Sequence, residues 1–315
     1  RQMCIRDRVH FKRFNGTNSE YFPLERIRPV ENLKHLFFPM REVVAVFGSK
    51  FSKPISEEII LGAKACDLKA LEIYDKVFLS PDYVEPFYKE RRAKTIIISA
   101  DCPTPEKTCF CSLVGLNPYV ENGSDASIAS LEEGYLFEIL TEVGQKVVDD
   151  CRKFFIEANQ GHYTEREHRR KEAMKMLEKI NPKHFPKNLS ERIEKNNDIK
   201  FWQKPQDGCV ECFACLDICP TCYCFLLYET SEPAKSKKET SVRVKIWDAC
   251  YRAAYGRVGG GANPMPHFTQ RFRNRFECKF TYFKKYHNIY ACSGCGRCRA
   301  GCTAQIDIRE VLWQL

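Results

Sequence analysis

Two cysteine runs with the same internal spacing lie in the last third of this chain, and no other feature constrains its fold as much. They are Cys209-x2-Cys212-x2-Cys215-x3-Cys219-Pro220 and Cys292-x2-Cys295-x2-Cys298-x3-Cys302. This is the ligand run of bacterial two-cluster ferredoxins. Three thiolates two residues apart can wrap one face of a 4Fe–4S cubane, with backbone N–H groups turned toward its sulfides. The fourth cysteine is expected to open a helix and point away, toward a second cubane, which it ligates in the two-cluster pattern. One cluster is therefore expected on Cys209, Cys212, Cys215 and Cys302. The other is expected on Cys292, Cys295, Cys298 and Cys219.

Zinc is the competing ligand for any cysteine-rich segment. Zinc sites use two CxxC-type pairs, not two triplets each followed by x3-Cys. Two such runs in one chain favour iron–sulfur clusters. Gly294 and Gly296 are expected to let the backbone lie close to the cluster. Thr303 stands where proline is usual, which removes a helix-start constraint but no ligand. The runs are about 70 residues apart, so the intervening segment reads as an insertion. Gly259-Gly260-Gly261 within it lacks the phosphate-loop form and a preceding strand, and reads as a loop. Arg271, Arg273 and Arg275 read as a partner-facing or solvated group.

There are 18 cysteines in 315 residues, too many for ordinary core use. Disulfide scaffolds are short and secreted. No secretory leader is apparent, and no apolar run reaches the ~18–20 residues of a membrane-spanning helix. A reducing cytoplasm with metal ligation is the better account. The net charge of +9 is scattered rather than organised by a nucleic-acid-binding motif, so a solvated surface or a face for an acidic electron-transfer partner is expected, and no nucleic acid.

By composition the fold class is α+β / α/β. Residues 1–12 read as a non-native or disordered N-terminus, and Cys4 is set aside with them. Residues 30–160 read as an α/β domain, 161–204 as a helical linker, and 205–315 as a ferredoxin-like dicluster domain with a long insertion. Val43–Phe47, Ile59–Gly62 and Lys94–Ser99 read as strands. Asp67 is expected to cap a helix over Leu68–Lys76, and the strand–helix–strand order implies parallel pairing. Tyr135–Val148 is apolar but ambiguous in type. Glu165–Ile180 reads as a helix with Ala173, Met176 and Leu177 inward, ended by Pro182 and Pro186. His162 and His168 read as surface residues. Ser231–Ser241 reads as an exposed loop or hairpin tip.

Cys66, Cys102, Cys109 and Cys111 fall at turns after strands or in one loop. The C-terminal strand ends of an α/β sheet gather on one edge, so these four are expected to meet and to hold a third iron–sulfur cluster, with buried thiols as the alternative. Cys222, Cys224 and Cys250 are read as structural sulfur around the first cluster, with ligation of another centre as the alternative. Cys151 and Cys278 read as isolated.

On the segments AKACDLKALEIYD, DCPTPEKTCFC, GCVECFACLDICPTCYCF, WDAC, GGGANPMP and CSGCGRCRAGCTAQIDI, the chain resembles the 4Fe–4S dicluster subunits of cytosolic NiFe hydrogenases (the sulfhydrogenase beta subunit) and of anaerobic sulfite reductase. The resemblance runs from about Val43 to the C-terminus. It implies an electron conduit between a flavin-containing NAD(P)H or ferredoxin module and a catalytic metal subunit, in a hetero-oligomeric, anaerobic, cytoplasmic complex. No hydrogenase or sirohaem signature is present, so catalysis is expected elsewhere. The alternative is a flavin-dependent iron–sulfur reductase with its own site in the N-terminal domain. A zinc-stabilised scaffold is a third reading.

Overall fold

The structure, a computed structural model, describes residues 11–14, 24–26, 28–233 and 239–315. The readings for Arg1–Arg8, Cys4 and the hairpin tip at 234–238 lie outside the described residues. In chain order the N-terminal half contains α1 (Lys34–Phe37), β1 (Arg41–Val46), β2 (Glu58–Ala63), α2 (Ala65–Phe78), β3 (Leu79–Ser80), β4 (Tyr83–Val84), α3 (Pro86–Lys94), β5 (Thr95–Ala100), β6 (Ala126–Leu131), β7 (Gly134–Ile139), α4 (Glu142–Asp150) and α5 (Gln160–Ile180). The remainder contains α6 (Leu189–Lys195), α7 (Ile199–Gln206), α8 (Ala214–Asp217), β8 (Phe225–Pro233), β9 (Glu239–Trp247), α9 (Phe268–Glu277), α10 (Phe283–His287), α11 (Arg297–Ala300) and α12 (Ile308–Trp313).

One four-stranded sheet has the order β2-β5-β6-β7. The first two pairings are parallel, as the strand–helix–strand reading expects, and β6–β7 is antiparallel. Helix α2 starts two residues before Asp67, on Lys64, and runs on to Phe78. Asp67 is not its cap. It sits in the first turn, where its charge favours the helix N-terminus, and pairs with a distant arginine. The ambiguous stretch 135–148 divides into β7 and the start of α4.

Val43–Phe47 departs from expectation. Strand β1 does not join the parallel sheet. It pairs antiparallel with β9, giving a second sheet of order β1-β9-β8. The segment between the cysteine runs thus begins with a long hairpin, β8–β9, whose inner strand β9 also pairs with an N-terminal strand. Phe38, Tyr74 and Phe78 stack with Phe225 and Trp247 at this junction. Under it Glu42 of β1 meets Arg91 of α3 and Lys245 of β9, and Lys245 also meets Glu85 at 3.1 Å. All four are buried. Such a network stabilises only while every member is paired.

Helix α5 is capped by Asn159, whose side chain accepts from the N–H groups of Gly161 and His162, while the His162 ring accepts from Asn159 N–H. His162 is therefore a cap. Ala173 and Leu177 face inward, but Met176 is exposed. The helix lies against the first sheet, with Arg170 on Asp101 at 2.8 Å. A second core gathers Trp202, Tyr251, Phe272, Phe276 and Phe280 with Phe110 from the N-terminal half. Among the described residues no helix is long and apolar enough to cross a membrane.

Candidate metal centre

The two cysteine runs trace the same backbone path. Glu211 and Phe213 of the first have φ of 50° and 59°; Gly294 and Gly296, at the same places in the second, have 61° and 70°. Left-handed residues at both places curl each run around its thiols. A side chain there costs roughly 1–2 kcal/mol, which the first run accepts. The second run cannot. A Cβ on Gly294 would lie 2.5 Å from the Cys111 backbone, and one on Gly296 would lie 2.2 Å from the Thr108 carbonyl oxygen. These glycines are required by the 108–111 loop, which lies directly on them, with Phe110 N–H donating to Gly294 O at 2.8 Å.

The expected helix start at each fourth cysteine is not found. The short helices α8 and α11 contain the third cysteines, Cys215 and Cys298, and end before Cys219 and Cys302. The turn after each helix still carries the fourth cysteine across to the other run. Cys302 lines one cavity with Cys209, Cys212, Cys215, Cys298 and Arg275. Cys219 in turn lies beside Cys292 and Cys298, and Cys298 beside Cys295. The N-terminal four, Cys66, Cys102, Cys109 and Cys111, line a single cavity with Arg28 and Cys295. Cys66 opens α2 after β2, and Cys102 follows β5, which is the edge the parallel sheet provides.

Burial disfavours thiolate at these places. It pushes the Cys109 thiol up to about 11, against the pull of Arg28, and the Cys292 and Cys298 thiols up to about 12. A metal ligand must be thiolate, so cationic compensation is needed. Part of it is built in. Burial alone would lower the Arg275 guanidinium, but nearby Cys215 and Cys298 outweigh this and hold it well above its ordinary value. Arg28, 6% exposed, donates through Nε to Cys295 O, and its Nη2 has no partner among the described residues; nor has Arg275 Nε. Orphaned buried N–H groups beside thiol-lined cavities fit a sulfide-rich, anionic cluster, because such groups otherwise cost about 1–3 kcal/mol each. Backbone N–H groups already reach sulfur, from Gly294 to Cys292 at 3.5 Å and from Ile306 to Cys302 at 3.4 Å. Among the described residues no three His, Cys, Asp or Glu side chains converge tightly enough for a single metal ion.

Arg297, inside the second run, joins the parts. It pairs with Asp67 at 2.9 Å and donates to Pro29 O and Glu31 O, each at 2.9 Å. Spacing of cysteines does not reveal such cations; only the place of Arg297 between two ligand positions hints at it. The Arg271–Arg275 group is not a partner face. Arg271 and Arg275 are buried, and Arg273 pairs with Glu277 at 2.9 Å. Cys222 lies beside Cys219, the cysteine expected in the second set, rather than around the first. Cys278 is not isolated, since it lies beside Cys224. Cys151 caps the end of α4.

The family described as a 4Fe-4S dicluster domain matches residues 208–306. The class is thus an electron-transfer iron–sulfur protein of mixed α/β build with its dicluster domain toward the C-terminus. Sulfhydrogenase 2 subunit beta of Pyrococcus furiosus is 30% identical over 259 residues, covering 81% of this chain and 72% of that protein. The chain belongs to the sulfhydrogenase beta subunit family.

Proposed function

We propose that this chain is the internal electron relay of a hetero-oligomeric oxidoreductase, holding two 4Fe–4S clusters on Cys209, Cys212, Cys215, Cys302 and on Cys292, Cys295, Cys298, Cys219, and a third on Cys66, Cys102, Cys109, Cys111. A 4Fe–4S cluster supplies reversible one-electron storage at a potential set by hydrogen bonds, charge and burial. The observation that supports the reading is that Cys302 lines one cavity with Cys209, Cys212 and Cys215, while Cys219 lies beside Cys292 and Cys298. Cys298 borders the first cavity and Cys295 borders the third, which orders the sets in a line with the Cys292 set in the middle. Cys212 and Val210 are exposed, so the first set is the end that meets an outside donor or acceptor. The partners proposed are a flavin-bearing NAD(P)H or ferredoxin module and a catalytic metal subunit, in an anaerobic cytoplasm. The sheet-edge cavity is lined by four thiols, which favours a cluster over a flavin site there.

The test is iron and sulfide quantitation with electron paramagnetic resonance on anaerobically purified protein. Cys302→Ser and Cys209→Ser should abolish the same signal and about four irons. Cys219→Ser should remove a different one, shared with Cys292→Ser. If Cys302→Ser instead removes the signal lost in Cys292→Ser, the crossed ligation is wrong. Zinc without acid-labile sulfide would end the iron–sulfur assignment. Loss of a further four irons in Cys66→Ser and Cys109→Ser supports the third set; unchanged iron removes it.

A further inference from the structure

Outside those twelve cysteines, four more come from three segments that pack together. Cys222 follows the first run, Cys224 precedes β8, Cys250 follows β9, and Cys278 leaves α9. The hairpin register brings them in. Phe225 pairs with Trp247, and the Cys224 carbonyl accepts from Asp248 N–H at 3.0 Å. The Cys250 thiol then reaches the Cys224 sulfur, which the Tyr255 hydroxyl also meets. Cys278 begins a single π-helical turn, Cys278–Tyr282. Such turns insert one residue and recur at functional sites. Here the turn aims Cys278 at Tyr223 and Cys224 while sending Lys279 inward, where its Nζ donates to Thr221 Oγ1 at 2.7 Å and Ala291 O at 3.2 Å. Cys222 lies two residues before Cys224, beside Cys219 and sharing Lys279 with Cys278, and its carbonyl accepts from Tyr74 at 2.8 Å.

The surrounding charge has the sign a thiolate cluster needs. Lys34 and Lys279 are 3% and 4% exposed. Among the described residues neither forms an ion pair with a carboxylate. Lys34 lies nearest the sulfurs of Cys222 and Cys219, and Lys279 those of Cys219, Cys222 and Cys278. The Lys34 ammonium lies 3.5 Å over the Trp247 ring, which offsets part of its burial, but Lys279 has only a hydroxyl and a carbonyl as acceptors among the described residues, and a buried ammonium is costly unless a compensating anion lies near it. Cys219 belongs to the neighbouring set, but Cys222 and Cys278 do not.

We propose that Cys222, Cys224, Cys250 and Cys278 ligate an additional iron–sulfur cluster, placed beside the set of Cys219, Cys292, Cys295 and Cys298. The Cys219-to-Cys222 segment links the two directly, so the new centre branches from the middle of the line rather than extending an end. The competing reading is a pair of free thiols, Cys224 and Cys250, close enough to form a disulfide.

Two measurements on the full chain, loaded anaerobically with iron and sulfide, decide it. First, native mass spectrometry and iron analysis compare the protein with Cys250→Ser/Cys278→Ser. The expected result is loss of one whole cluster, about four irons if it is a cubane, with the signals removed by Cys302→Ser and Cys292→Ser retained. Unchanged cluster count and iron overturn the proposal without touching the ferredoxin-type sets. Second, and independent of any variant's folding, thiols of the loaded wild-type protein are alkylated and mapped. All four should be protected until iron is chelated, while Cys151, half-buried like them, reacts throughout. Labelling of Cys224 or Cys250 at the rate of Cys151 in the iron-replete chain overturns the proposal, as does a Cys224–Cys250 disulfide in it.

Discussion

Replacing Gly294 with alanine tests a close contact between the halves of the molecule. Gly294 has a φ of 61°, and a Cβ there would meet the Cα and N of Cys111 at 2.5 Å and the carbonyl carbon of Phe110 at 2.6 Å. These are backbone atoms, which cannot swing aside like a side-chain tip. The left-handed conformation costs about 1–2 kcal/mol for a residue with a Cβ. Forcing apart packed backbone adds about 1–3 kcal/mol, for a total of about 2–5 kcal/mol. Gly115→Ala is the control: its φ is 79°, but nothing lies within 4 Å of the added carbon, so only the conformational cost applies. The difference, about 1–3 kcal/mol, isolates the contact of the 108–111 loop with the second run. At about 2–4 °C per kcal/mol, it separates the thermal midpoints by several degrees, read anaerobically by circular dichroism and by cluster absorbance. Gly294→Ala should also lower occupancy of the site of Cys109 and Cys111. Coincident midpoints for the two variants would refute the placement of this loop.

Three further outcomes follow. Phe110→Ala empties a buried ring site in the C-terminal core and should cost about 3–5 kcal/mol, measured by urea unfolding; a loss under about 1 kcal/mol would mean the ring is not buried there. Asp67→Asn leaves Arg297 buried without its counter-charge and should cost about 3–5 kcal/mol, with much of it recovered in Asp67→Asn/Arg297→Met; additive losses would contradict the pairing. Burial alone would raise the Glu42 pKa, but the Arg91 hydrogen bond and the Lys245 charge outweigh it and hold the group below 4.5. Its stabilisation is therefore present above about pH 4.5 and lost as pH falls through the lower folded value. Glu42→Gln should be less stable at neutral pH and flatter in stability across the acid range; a profile parallel to wild type would contradict this.

The parallel pairing of β2 with β5 was readable because helix α2 between them has a distinct 3.6-residue apolar pattern. The fate of Val43–Phe47 was not. A strand's own residues specify its faces but not its neighbour, and the partner of β1 lies about 200 residues away in β9. The arginine cluster misled for a similar reason. Arg271 and Arg275 look solvent-bound in sequence, yet Arg271 donates to Tyr251 O at 2.7 Å, and Arg275 lies against thiols. Cys278 looked solitary because its neighbours Tyr223 and Cys224 come from the other side of the insertion.

The sequence by itself determined the two cysteine runs and the iron–sulfur class, because thiolate spacing along a short loop is a local property. It also selected the N-terminal cysteines by their places at strand ends. Only the tertiary structure decided that those cysteines abut the second run, that glycines 294 and 296 answer to the 108–111 loop, and that buried Arg28, Arg275, Arg297, Lys34 and Lys279 supply charge around the sulfur. Those are contacts across tens to hundreds of residues. They arise when buried charge and backbone have to be satisfied by whatever the fold brings near, and no local pattern encodes that choice.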